Sequence, residues 1–233
     1  MLARSLAVAL LLPLFFAAPA AARARPVVVE LFTSEGCSSC PPADAYLSEL
    51  AHDGPEVFPL AFHVTYWDSL GWKDPWSLEA ATQRQAAYAA RFREFSYTPE
   101  MVIDGRQALV GSDRRAVGAA IAAARDADRT HVEVSGARAG TTLSVKVGAG
   151  AGRGTVLLIG YDPGHVTKVG RGENAGRALG ESNIVRSIEP IGEWRGAPLT
   201  LESTLPAGER AAVLIQSPDG AIVGAARVDD GAR

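Results

Sequence analysis

Two cysteines stand close together in Cys37-Ser38-Ser39-Cys40, and they are the only two in the chain. A disulfide between such near neighbours closes too short a loop to add much stability in the chain-entropy account, so the pattern points to chemistry rather than to a staple. Thiol-disulfide exchange needs one sulfur to attack and a second to resolve. Cys37, just before a predicted helix, is the expected nucleophile, because the helix dipole and free N–H groups favour a thiolate there. Cys40, deeper in the first turn, is the expected resolving thiol, less exposed than Cys37. Metal binding is the competing chemistry. Zinc normally takes four ligands, and no second Cys-x-x-Cys is present to complete such a site. A soft ion such as Cu(I), held by Cys37, Cys40 and His63, is the alternative that thiolate and imidazole chemistry permits. No cofactor is expected beyond the redox-active disulfide itself.

The elements that must position this pair follow from periodicity. Residues 27–32 are a near-continuous apolar, β-branched run, read as a central strand covered on both faces. Pro41-Pro42-Ala43-Asp44 then opens a helix, since the missing proline N–H would be unpaired in a first turn anyway. Residues 57–64 read as a second strand, completing a strand-helix-strand unit with a right-handed crossover. His63 falls near the C-terminal end of that strand, where parallel sheets gather their ligand sites. With Tyr66, Trp67 and Asp68 of the following tryptophan-rich loop, it is a candidate for shaping a substrate groove or tuning the thiolate. Trp72 and Trp76 read as packing residues. A helix over about 78–95 presents Leu78, Ala81, Gln85, Tyr88, Phe92 and Phe95 as one stripe. Thr98-Pro99 precedes two short strands, 101–103 and 108–110, and a helix over about 112–127. Past Arg129 come about seven short strand-like runs with glycine-rich turns and no convincing helix.

This order predicts the fold class α/β, a thioredoxin-like domain followed by a small antiparallel β-sandwich domain. The expected divisions are a leader over 1–24, the first domain over 25–129 and the second over 130–233. In a thioredoxin-like frame a cis-proline ahead of the third strand lies beside the cysteines, which makes Thr98 and Pro99 candidate site residues. Glu30, inside the first strand, either accepts the Cys40 proton as a buried acid or faces solvent. The runs Glu35-Gly36-Cys37-Ser38-Ser39-Cys40-Pro41-Pro42-Ala43-Asp44, His63-Val64-Thr65-Tyr66-Trp67-Asp68, Gly71-Trp72-Lys73-Asp74-Pro75 and Gly172-Glu173-Asn174-Ala175-Gly176-Arg177 together resemble the DUF1223 family. That resemblance spans nearly the whole mature chain. It implies an exported, mainly bacterial protein with a thioredoxin-like domain and a β-rich C-terminal part, and it implies no particular activity. The segment 170–177 lacks the dinucleotide-binding spacing and lies between strands. Its Asn174 and Arg177 are expected within reach of the first domain, with Arg177 pairing to Asp68 or Asp74.

Residues 1–24 read as a secretory leader, with Arg4 ahead of an apolar run and Ala20-Ala21-Ala22 as a small-residue cleavage signal. The run is shorter than the roughly 20 residues a membrane span needs. The protein is therefore expected to be exported, periplasmic or secreted, acting on exported protein or small-molecule thiols, with its oligomeric state left open. A formal charge of -3 without a basic patch argues against nucleic acid as a partner. A non-catalytic adaptor, docking another exported protein through the sandwich, is the reading from a different functional class.

Overall fold

The computed structural model describes residues 25–127 and 131–230. The expected leader, 1–24, and the expected domain boundary at 128–130 lie outside them. β1 (Val27–Thr33) and β2 (Val57–His63) are buried at every position and pair in parallel, from Val27↔Val57 to Thr33↔His63. A parallel pair needs a crossover, and α1 (Pro41–His52) supplies it, with Pro41 and Pro42 in its first turn. α2 (Glu79–Phe92), β3 (Glu100–Ile103), β4 (Gln107–Val110) and α3 (Arg114–Asp126) follow in the expected order. α2 is shorter than its apolar stripe suggests. Arg93 takes a left-handed backbone (φ 61) and ends the helix, leaving Phe95 92% exposed.

The remaining strands are β5 (Val134–Ala139), β6 (Thr142–Val147), β7 (Gly154–Lys168), β8 (Ala178–Trp194), β9 (Leu199–Thr204), β10 (Arg210–Gln216) and β11 (Ile222–Asp230). All eleven form one mixed sheet in the order β4-β3-β1-β2-β8-β7-β10-β11-β5-β6-β9. This overturns the expected fold class, a thioredoxin-like α/β domain with a separate small β-sandwich. Among the described residues three short helices accompany a single sheet, and the molecule is mostly β. The joint is β8, which meets β2 in parallel at Ala61↔Ile184 and β7 in antiparallel register from Ala178 to Trp194. Periodicity truncates β7 and β8 because Gly160, Pro163, Gly164 and Pro190 interrupt their apolar alternation. The ladder runs through these residues, with register shifts at Val156/Leu157 and Gly160/Tyr161.

The core follows the sheet rather than the expected division. α1 and α3 cover one face of the first strands through Val29, Leu31, Leu47, Val117 and Ile121. On the opposite face Phe32, Phe58 and Phe62 pack with Tyr88 of α2 and with Ile159, Val185 and Leu214 of β7, β8 and β10. Leu143 and Val145 of β6 lie against Leu158, Val213 and Trp194 in a third cluster. Phe58, Phe62 and Leu214 thus sit in one apolar body, which neither half completes alone.

Candidate functional site

Cys37 and Cys40 are joined in a disulfide with Cα atoms 5.4 Å apart. Cys40 is the N-cap of α1 rather than a residue of its first turn, and its carbonyl accepts the N–H groups of Ala43 and Asp44. Because Pro41 and Pro42 have no N–H, the helix offers the sulfurs its dipole more than free amide donors. The hydroxyl of Ser39 lies 3.3 Å from Cys37 Sγ. The expectation that Cys37 is the more exposed cysteine is not met: both have zero exposure, while Ser38 and Ser39 face solvent.

The cover is the loop between β7 and β8. The buried Asn174 side chain donates from Nδ2 to the carbonyls of Glu35 and Cys37, at 2.9 Å each. Glu173 accepts from the Ser38 N–H at 3.2 Å. Gly172 has φ +76, and a Cβ there would stand 3.1 Å from Cβ of Trp72, so glycine suits both the turn and the close approach. Segment 170–177 thus lies against the first elements as expected, and goes further to cover the cysteine loop, but Arg177 does not pair with Asp68 or Asp74. It donates to Asn174 Oδ1 at 2.8 Å and fixes that amide instead. Asp68 is occupied by the Asp74 N–H and the Ser77 hydroxyl, and Asp74 by His63, the Glu35 N–H and the Trp76 N–H.

Behind the disulfide the structure gathers acids that the sequence reading did not assemble. His63, fully buried at the end of β2, bonds Asp74 Oδ2 through Nδ1 at 2.7 Å, and its Nε2 lies 3.8 Å from Glu181 Oε2. Asp44, one turn into α1, accepts the Thr33 hydroxyl at 2.7 Å. Trp72 Nε1 donates to Glu35 Oε2 at 2.7 Å. Burial pushes Asp44 up to about 7 and Glu181 up to about 8, against the pull of the His63 charge. Burial also raises Glu35. His63 behaves oppositely: burial favours its neutral form, but the Glu181, Asp74 and Asp44 carboxyls hold it at about 10. Burial opposes ionisation of Asp74 too, and the charge and hydrogen bond of His63 hold it below the usual range. Asp44 was legible in principle, being a polar residue on the buried stripe of Ala43, Leu47 and Leu50. Glu181 carried no local signal; it lies in β8 opposite His165 and two residues before left-handed Asn183 (φ 51).

The other candidates fall into place around this centre. Thr98-Pro99 is a cis peptide bond, and Trp67 links it to the cysteine loop. The Trp67 indole N–H donates to Thr98 Oγ1 at 2.8 Å, while its Cβ packs against Gly36. Tyr66 is 39% exposed and donates to Gln85 at 3.2 Å. Glu30 neither faces solvent nor joins the acids behind the disulfide. It points to the α2 side of β1, where Arg84 binds it through two nitrogens and the Tyr88 hydroxyl donates at 2.7 Å.

Fold and site together define a β-rich protein with a buried Cys-x-x-Cys disulfide backed by a cluster of acids. Residues 28–216 match the family described as protein of unknown function (DUF1223), and the chain belongs to it. A crystal structure of a protein from Agrobacterium tumefaciens is similar at 32% identity and TM-score 0.76, over 89% of this chain and 96% of that one. HBP35 of Porphyromonas gingivalis shares the fold at 14% identity and TM-score 0.60, over 90% of this chain and 78% of that one. Among curated proteins none matches.

Proposed function

We propose that this protein is an exported thiol-disulfide oxidoreductase whose working group is the Cys37–Cys40 couple. The observation that carries the reading is a disulfide spanning a sequence separation of 3 at the start of α1, backed by buried ionisable groups. So short a loop contributes little to stability, and perturbed carboxyl groups concentrate at functional sites. In exchange, a substrate thiolate attacks Cys37 Sγ and expels Cys40 as a thiolate; the reverse course oxidises a substrate dithiol. Burial of both sulfurs makes displacement of the 170–177 loop part of each turnover. The substrates proposed are protein or small-molecule thiols met outside the cytoplasm, where disulfides persist.

Titration of the mature protein in glutathione redox buffers tests this, with the disulfide and dithiol forms separated by alkylation. A reversible couple is expected, with loss of all exchange in Cys37→Ser. Absence of any measurable couple removes the proposal. Cys40→Ser, expressed in the native compartment, is expected to accumulate mixed disulfides through Cys37, and the attached molecule identifies the substrate.

A further inference from the structure

We propose that Glu35, Asp44 and Glu181, gathered around the His63–Asp74 pair, are a proton store for the disulfide couple: the proton that Cys40 takes up when the disulfide opens comes from this buried cluster, which stays one proton short while the couple is reduced. The inference rests on the redox reading and extends it to residues that reading leaves without a role.

Unpartnered atoms carry it. Glu35 Oε1, Asp44 Oδ2, His63 Nε2 and both carboxyl oxygens of Glu181 are buried without a hydrogen-bond partner. Native proteins satisfy the large majority of such atoms, because one left unpaired keeps the full cost of its desolvation. Glu30 shows how the same strand satisfies a buried carboxylate when the need is structural, with Arg84 and Tyr88. The acid cluster has no such counterion. Four carboxyl groups share one imidazole, and none makes an ion pair with lysine or arginine among the described residues. Four carboxylates cannot all ionise around one imidazolium in a site this dry, so the cluster holds exchangeable protons near neutral pH. Burial accordingly raises Asp44 to about 7 and Glu181 to about 8.

The cluster also brackets the disulfide in the chain. Glu35 precedes Cys37 by two residues, and the Asp44 N–H donates to the Cys40 carbonyl at 3.1 Å. The facing groups come from every packed element: Glu35 after β1, Asp44 of α1, His63 of β2, Asp68 and Asp74 of the tryptophan loop, His165 of β7 and Glu181 of β8. Asp68 is engaged by Ser77 and His165 by Asp162, so neither neutralises the cluster.

With a dithiol as reductant the step balances. One thiolate of the dithiol attacks Cys37 Sγ, the Cys37–Cys40 bond breaks with its electron pair on Cys40 Sγ, and that sulfur takes a proton from a protonated carboxyl. The second thiolate then displaces Cys37 and the reductant leaves as its own disulfide. Of the two protons it released on ionising, one goes to Cys37 through solvent and the other stays in solvent until reoxidation returns a proton to the cluster.

The test is the midpoint potential of the mature chain in dithiothreitol redox buffers from about pH 5 to about pH 9, for wild type, Glu181→Gln and Asp44→Asn. A reduced-minus-oxidised infrared spectrum of the wild type accompanies it. Each proton coupled to a two-electron couple changes its equilibrium constant tenfold per pH unit, about 30 mV. The wild-type curve is expected to bend where the cluster titrates, the bend to vanish in Glu181→Gln and shrink in Asp44→Asn, and the infrared spectrum to show a protonated-carboxyl band that changes on reduction. Superimposed curves for the three proteins, with no such band, overturn the proton store and leave the couple standing. No reversible couple in the wild type overturns the redox reading and the store with it. The infrared measurement needs no substitution, so it decides the question even where a variant fails to fold.

Discussion

Glu30 and Glu181 are both buried carboxyl groups, and their neighbours give them opposite characters. Glu30 is held by Arg84, whose side chain is only 8% exposed. Removing one partner of a buried ion pair strands the other, so Arg84→Met is expected to destabilise the protein by about 3–5 kcal/mol, read by urea denaturation. Glu30→Gln should leave the potential of the disulfide couple unchanged; a shifted potential would tie Glu30 to the chemistry after all. Glu181, Asp44 and His63 have folded pKa values of about 8, 7 and 10, raised above the ordinary 4.5, 3.8 and 6.5. The folded state therefore binds more protons than the unfolded state in these windows. Their stabilisation is complete below the ordinary values and is lost as pH rises through the folded ones. The melting temperature should fall from about pH 5 to about pH 9, and Glu181→Gln should flatten the part below about pH 8. A melting temperature that rises over that range would contradict the assignment.

At the scale of elements, the β7–β8 hairpin closes over the disulfide with its tip. Asn174 is the clasp, donating to two buried carbonyls on either side of Gly36. Asn174→Ala leaves the Glu35 carbonyl unpaired and the Cys37 carbonyl with only the Cys40 N–H, and about 1–3 kcal/mol of stability should go with the change. Local opening then becomes easier, so dithiothreitol should reduce the disulfide faster in the variant, measured by quenched alkylation. An unchanged rate would mean that the sulfurs are reached by another path. Arg177 acts through this clasp, so Arg177→Ala should change the reduction rate in the same direction and by less.

The whole molecule is held together by one sheet and by apolar clusters that its two halves share. Residues 25–127 expressed alone lack β8, which pairs with β2, and the Ile159, Val185 and Leu214 side chains that cover Phe58 and Phe62. That fragment is expected to show no cooperative melting, whereas the mature chain should unfold in a single transition; a fragment that melts sharply would restore an independent first domain. The sequence by itself determined the local matters: the cysteine pair and its helix, the largely apolar β1 and β2, the order of the first seven elements, and the family. These depend on neighbours in the chain, through periodicity, proline in a first turn and motif spacing. Only the tertiary structure decided that the strands after Arg129 extend the first sheet, that Glu30 belongs to Arg84, and that Glu181 joins His63 behind a disulfide sealed by Asn174. Such contacts join residues far apart in the chain, 54 positions for Glu30 and Arg84 and 137 for Asn174 and Cys37, and burial and charge compensation at those points arise only once the sheet has brought them together.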